Sequence, residues 1–149
     1  MTWKPHVTVA AVVEKDQRFL LVEEDIHGRR VFNQPAGHLE AGEDLIQAVQ
    51  REMLEETARI FTPEALVGIY LYEVPGRERS YLRFCFCGAA GEILAGHSLD
   101  REIIATHWLT PDQIRERSAR LRSPMVLDCI RDYRQGRRIP LDQLHYLPS

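Results

Sequence analysis

Glu52, Glu55 and Glu56 stand at i, i+3 and i+4 of one helical stretch, so three carboxylates share a face. Like charges at that spacing repel by about 0.2–0.5 kcal/mol per pair, and a divalent cation is the natural compensation. Hard carboxylate oxygens on a rigid element suit Mg2+, with waters and substrate phosphates completing its octahedron. Mn2+ is the other candidate. A helical projection at about 100° per residue separates this from a solvated acidic face. Leu45, Ile46, Val49 and Met53 form one apolar stripe; Glu56 falls inside it, Glu52 at its edge and Glu55 a little further round. Gln47, Gln50 and Leu54 occupy the opposite side. Carboxylates leaning toward the buried side are costly unless paired or metal-bound.

These residues lie in the stretch 37–59, GHLEAGEDLIQAVQREMLEETAR. It resembles the Nudix box, G-x5-E-x7-R-E-U-x-E-E-x-G-U with U a bulky aliphatic residue. Gly37, Glu43, Arg51, Glu52, Glu55 and Glu56 match at the required spacing. Met53 replaces the first aliphatic, Ala58 stands where the family has glycine, and Arg59 takes the last aliphatic position, with Ile60 one place late. A glycine after a helix supplies the left-handed conformation. Alanine there would be strained by about 1 kcal/mol or more, so a changed helix exit is one expectation.

The resemblance implies an α+β chain with the Nudix fold, an α/β/α sandwich around a mixed β-sheet. It implies hydrolysis of phosphoanhydride bonds in small organic diphosphates or triphosphates. Glu52, Glu55 and Glu56 would ligate metal, with the Gly37 carbonyl as an added ligand. Glu43 and Arg51 would pair across the loop–helix junction and orient Glu52. The base for the attacking water would be a box glutamate such as Glu55, or Glu102. Segments outside the box, K-P-H-V-T-V-A at 4–10, N-Q-P-A-G-H-L-E at 33–40, L-R-S-P at 121–124 and Y-R-Q-G-R-R-I-P-L at 133–141, resemble the bacterial NudJ-like phosphatase branch of the family. That branch implies release of orthophosphate from nucleoside tri- and diphosphates and from hydroxymethylpyrimidine or thiamine pyrophosphate.

Other residues leave alternatives open. Asp100 competes with Glu102 for a further acidic role. His38 could contact phosphate or serve as acid, since its pKa lies near operating pH, or could be a structural hydrogen-bonding group. Phe32, Asn33 and Gln34, before the box, offer one aromatic face and two amides, and Gln34 is a substrate-binding candidate. From Arg115 to Arg138 eight arginines face three acids, Glu116, Asp128 and Asp132. Without interleaved aromatics this reads as a solvated face more than a nucleic-acid grip.

The supporting elements follow from pattern. His6 to Glu14 alternates as a core strand, with Arg18 to Glu24 expected as its hairpin partner across Asp16-Gln17. Asp25 to Arg30 reads as a polar loop, and Val31 to Pro35 as an extended piece leading to Gly37. Strands are expected at 65–74, 80–89 and 103–109. Helices are expected at 111–118, with Thr110 as N-cap and Pro111 at N1, and from Ser123-Pro124 to about Tyr133, stopped at Gly136. The 149 residues suit a single domain spanning 1–149. No apolar run reaches the roughly 20 residues of a membrane span. Three cysteines without framework spacing point to a reducing cytoplasm, with Cys85 and Cys87 as core residues. A net charge of −3 exerts no global pull on nucleic acid. The partner expected is a small phosphorylated molecule, with no membrane, and the protein itself a monomer or homodimer.

Overall fold

The computed structural model describes residues 2–149. Its centre is β1 (His6–Val12), where Val9, Ala10, Ala11 and Val12 are all fully buried. A strand apolar on both faces must lie between layers and carry neighbours along both edges. β1 accordingly takes β5 (Ala36–His38) antiparallel on one edge and β7 (Ser80–Ala90) parallel on the other. β6 (Phe61–Glu73) closes that sheet antiparallel to β7, giving the order β5-β1-β7-β6. A second, antiparallel sheet holds β2 (Glu14–Lys15), β3 (Arg18–Ile26) and β4 (Arg29–Asn33), with β8 (Ile103–Leu109) on the other edge of β3.

Three expectations need correcting. The hairpin partner of β3 at the 16–17 turn is the two-residue β2, not β1, whose edges are both occupied. The supposed loop at 25–30 is a second hairpin: Asp25 pairs with Arg30 and Ile26 with Arg29. Its turn residues His27 and Gly28 both have positive φ, 52° and 81°, the twist-compatible two-residue connection. Only the glycine of that pair advertised it. β6 begins at Phe61, four residues before the expected start at Ala65. Pro63 interrupts the pattern, but on an edge strand a register shift between Pro63 and Ala65 absorbs it.

α1 (Leu45–Thr57) covers one face of the first sheet, with Ala48, Val49 and Met53 packed on Val9, Ala11, Phe61, Leu66 and Phe86. Its start is a capping box absent from the family pattern. The Gln47 N–H donates to Asp44 Oδ1 at 2.7 Å, and the Asp44 N–H donates to Gln47 Oε1 at 2.9 Å. α2 (Pro111–Glu116) is capped by Thr110 with proline in its first turn, as expected, but ends earlier. α3 (Met125–Arg134) lays Val126, Cys129 and Ile130 on the opposite face, against Ala10, Cys85 and Val67. Gly136, with φ 81°, follows its end. The result is an α+β layered fold. Cys85, Cys87 and Cys129 are free thiols in the interior. No helix among the described residues is long and apolar enough to cross a membrane.

Candidate active site

The C-terminal half of α1 crosses β5 so closely that Gly37 and Glu52 share one space. A methyl on Gly37 would overlap the Glu52 carboxyl group. Glycine is therefore favoured here by the Glu52 side chain, not by its backbone dihedrals. Opposite β5, Glu56 is 7% exposed and accepts a hydrogen bond from the Ala36 N–H at 2.8 Å.

Arg51 ties the loop to the helix. Its Nε and Nη2 donate to the two Glu43 oxygens at 3.0 and 2.7 Å, a fork-on-fork pair. Nη1 reaches Glu52 Oε1 at 2.7 Å and Glu55 Oε1 at 3.3 Å, and Nη2 also donates to the His38 carbonyl at 2.9 Å. The Arg51 hydrogen bonds hold the Glu43 carboxyl below its usual range. Burial pushes Glu52 up to about 7 despite Arg51, and burial pushes Glu56 up to about 9, with Glu24, Glu52 and Asp100 adding to it. Carboxyl groups so displaced are poised to gain from a cation.

Asp100 arrives from the long loop before β8, pinned by its N–H to the Glu55 carbonyl at 2.9 Å. Ligand oxygens of Glu52, Glu55 and Asp100 lie within 4.8 Å of one another. Burial, then Glu55 and Glu102, raise the Asp100 carboxyl. This donor set, all hard oxygen with excess negative charge, fits a divalent cation such as magnesium. Glu56 stands outside that trio, on the cleft side of the helix.

Between the acidic helix and the β6–β7 hairpin runs a cleft of about 780 Å³, the size of a small-molecule site. Gly37, His38, Glu52, Glu56 and Glu102 all line it. Glu102 is exposed, and its carbonyl accepts from the Asp25 N–H at 2.9 Å. The His38 ring lies 5.4 Å from that of His6 and 6.4 Å from that of Tyr81. Burial and then His6 lower the His38 pKa. Gln34 does not line the cleft. It is 1% exposed, donates to the Val126 carbonyl and accepts from Arg83, both at 2.8 Å.

Several cleft residues escaped the sequence reading. Glu24 pairs with Arg122 at 3.1 Å, and burial raises its pKa. Tyr72 and Tyr81, a cross-strand pair, form the far wall with Arg77 and Arg79. Arg83 sits in the floor, and its signal was a charged residue inside the apolar run of β7. The box departures also find their places. Ala58 takes the left-handed position, φ 57°, with its N–H on the Leu54 carbonyl, so the helix ends where a glycine would end it. Arg59 stacks over Trp108 at 5.5 Å and donates to the Gly91 carbonyl at 2.7 Å, while Ile60 is 60% exposed. Of the C-terminal arginines, the last ones act locally: Arg131 pairs with Asp128, Arg137 with Asp132, and Arg138 lies 4.1 Å over the Tyr133 ring, whereas Arg117 and Arg120 lie over the Phe32 ring.

Residues 4–129 match the family model described as the NUDIX domain. The chain is 40% identical over 142 residues to the phosphatase NudJ of Escherichia coli strain K12, covering 95% of this chain and 92% of that protein. A solved NUDIX hydrolase from Nitrosomonas europaea superposes with a TM-score of 0.94 at 48% identity, covering 97% of this chain and 98% of that chain. The NUDIX domain of Shewanella oneidensis NrtR, solved with ADP ribose, shares the fold at a TM-score of 0.69 and 19% identity, covering 89% of this chain and 88% of that one. An acidic helix end, a glycine seated directly against the Glu52 carboxyl group and a match over nearly the whole length converge: the chain belongs to the Nudix family and is a Nudix hydrolase.

Proposed function

We propose that this hydrolase is a Mg2+-dependent phosphatase, with Mn2+ as the alternative ion. It removes orthophosphate from small organic diphosphates and triphosphates: nucleoside tri- and diphosphates, hydroxymethylpyrimidine pyrophosphate and thiamine pyrophosphate. One observation carries the reading. Glu52, Glu55 and Asp100 bring carboxylate oxygens within 4.8 Å of one another, and Glu52 also lines a cleft whose other side carries arginines and tyrosines. That is an arrangement for a phosphate chain held between cations and a loosely gripped organic group.

Glu52, Glu55 and Asp100, with Glu56 from the cleft side and the Gly37 carbonyl by family resemblance, would hold the metal. A bound divalent ion neutralises phosphate oxygens and lowers the pKa of a water. The remaining work falls to the chain's own groups. Arg51, fixed by Glu43, keeps the Glu52 carboxylate aimed past Gly37. Glu55 or Glu102 accepts the proton of the attacking water; Glu55 belongs to the acidic trio itself, whereas Glu102 lines the cleft. His38, held toward its neutral form, can accept a hydrogen bond from a protonated phosphate or donate one to an anionic oxygen. Gln34 serves the substrate indirectly, by fixing Arg83.

The open cleft and a wall of tyrosines and flexible arginines favour tolerance of several leaving groups. NudJ of Escherichia coli is described as a phosphatase, which supports terminal cleavage here. The test is chromatography of the products from a nucleoside triphosphate and from thiamine pyrophosphate, with and without Mg2+. Orthophosphate from both, only with metal, is expected. Pyrophosphate plus a nucleoside monophosphate would place the enzyme among nucleotide pyrophosphatases instead. A ligand that binds without turnover would mark a regulatory nucleotide-binding domain.

A further inference from the structure

Arg83 is a buried cation with no anion. It is 4% exposed, lies on the central strand β7 and forms part of the cleft floor. Sheet register puts it in one row with His38, Thr8 and Tyr70, where the sheet face passes from core to cleft. Its Nη1 donates to Gln34 Oε1 at 2.8 Å and its Nη2 to Asn33 Oδ1 at 3.1 Å. Cys129 Sγ, at 4.0 Å, is a distant third partner. Its Nε is buried with no acceptor among the described residues. Among those residues no carboxylate forms an ion pair with it, although the cleft's acidic residues and their other arginine partners are numerous.

A guanidinium has five N–H donors, and these partners leave it short of acceptors. Burying an unpaired charge is costly, so the free protein carries a deficit that an anion would remove. The surroundings also restrict how the group can move. Gln34 is anchored to the Val126 carbonyl at 2.8 Å, and Asn33, 7% exposed, grips the other nitrogen. Two neutral amides therefore orient the guanidinium without neutralising it. This differs from Arg122, whose charge is answered by Glu24, and from Arg51, which is answered by Glu43 and Glu52.

We propose that Arg83 is the fixed anion receptor of the cleft, taking a phosphate oxygen of the substrate in the position no protein carboxylate fills. The inference rests on the phosphoanhydride reading above and names the residue that binds the phosphate chain from the sheet side. The phosphate would then lie between a guanidinium on the floor and the carboxylate-held cation on the helix. Being preorganised, Arg83 binds charge and not the organic group, so it contributes to phosphate affinity irrespective of the base or vitamin attached.

The experiment is calorimetric titration of wild type and Arg83→Met with a nonhydrolysable nucleoside α,β-methylene diphosphate and with the unphosphorylated nucleoside, in Mg2+. Because the analogue is not cleaved, the result is independent of which bond the enzyme breaks. The expected result is a Kd for the diphosphate analogue at least tenfold higher in Arg83→Met and partly restored in Arg83→Lys. Free Arg83→Met should melt no lower than wild type, while losing most of the thermal shift the analogue induces. Equal affinity in both proteins would overturn the proposal, as would a free variant destabilised by several degrees that still binds the analogue normally. If Arg83→Met does not fold, the Arg83 Nε–H resonance of nitrogen-15-labelled wild type decides. It should move on adding the analogue and not the nucleoside, and a resonance indifferent to both overturns the assignment.

Discussion

Replacing Glu56 by Gln should stabilise the metal-free protein, and by an amount that depends on pH. Glu56 is 7% exposed, and its one hydrogen bond, from the Ala36 N–H at 2.8 Å, is retained by a glutamine oxygen. Burial raises its pKa from 4.5 in an open chain to about 9 in the fold. Between those values the folded protein holds a proton that the unfolded chain has released, so folding takes one up. Stability contributed by the neutral carboxyl is complete below about pH 4.5 and declines as pH rises toward 9. Each pH unit in that window costs about 1.4 kcal/mol, so by pH 7 the loss is slightly above about 3 kcal/mol. Glutamine does not titrate. Glu56→Gln should therefore exceed wild type by about 3 kcal/mol at pH 7 in EDTA, equivalent to roughly 6–12 °C in melting temperature for a chain this size. At pH 5 the difference should shrink below about 1 kcal/mol. Mg2+ should reverse the order, because it stabilises only the ionised residue, and turnover by the variant should fall by orders of magnitude. Urea unfolding of both proteins from pH 5 to 8, with EDTA and with Mg2+, provides the measurement. Parallel pH profiles in EDTA, or a variant less stable than wild type at pH 7, would refute the reasoning.

Three other substitutions follow from the geometry. Ala58→Gly relieves a left-handed backbone worth about 1–2 kcal/mol and loses a buried methyl worth about 0.8, so chemical denaturation should show a net gain near 0.5–1 kcal/mol. Gly37→Ala displaces the flexible end of Glu52; stability measured by melting should change little, while kcat falls about 100-fold as the carboxylate leaves its position. Arg51→Lys keeps the charge but loses the two-point grip on Glu43, and thermal denaturation should show about 1–2 kcal/mol of destabilisation with a raised Mg2+ requirement in activity assays.

What sequence alone determined is the local chemistry, because spacing on one helix is set by the helix itself. The placement of Glu52 and Glu56 against the apolar stripe of α1 was legible from 3.6-residue periodicity, and both are buried. The Thr110–Pro111 helix start, the stop at Gly136, the core role of the cysteines and the Nudix match were legible for the same reason: each is encoded within a few neighbouring residues. Strand partnership was not. β1 joins β7 across roughly seventy residues of chain, and no periodicity reports which edge a two-faced apolar strand will use. Asp100 meets Glu52 and Glu55 only because the loop before β8 folds back onto the end of α1. The conversion of Gln34 from a presumed cleft residue into an anchor for Arg83 likewise depends on α3 offering the Val126 carbonyl from 92 positions away. Arg83 was visible as a charge in an apolar strand, but its lack of an anionic partner is a property of everything packed around it. Helix periodicity could align the carboxylates of one element; only the assembled layers could set a lone guanidinium opposite them.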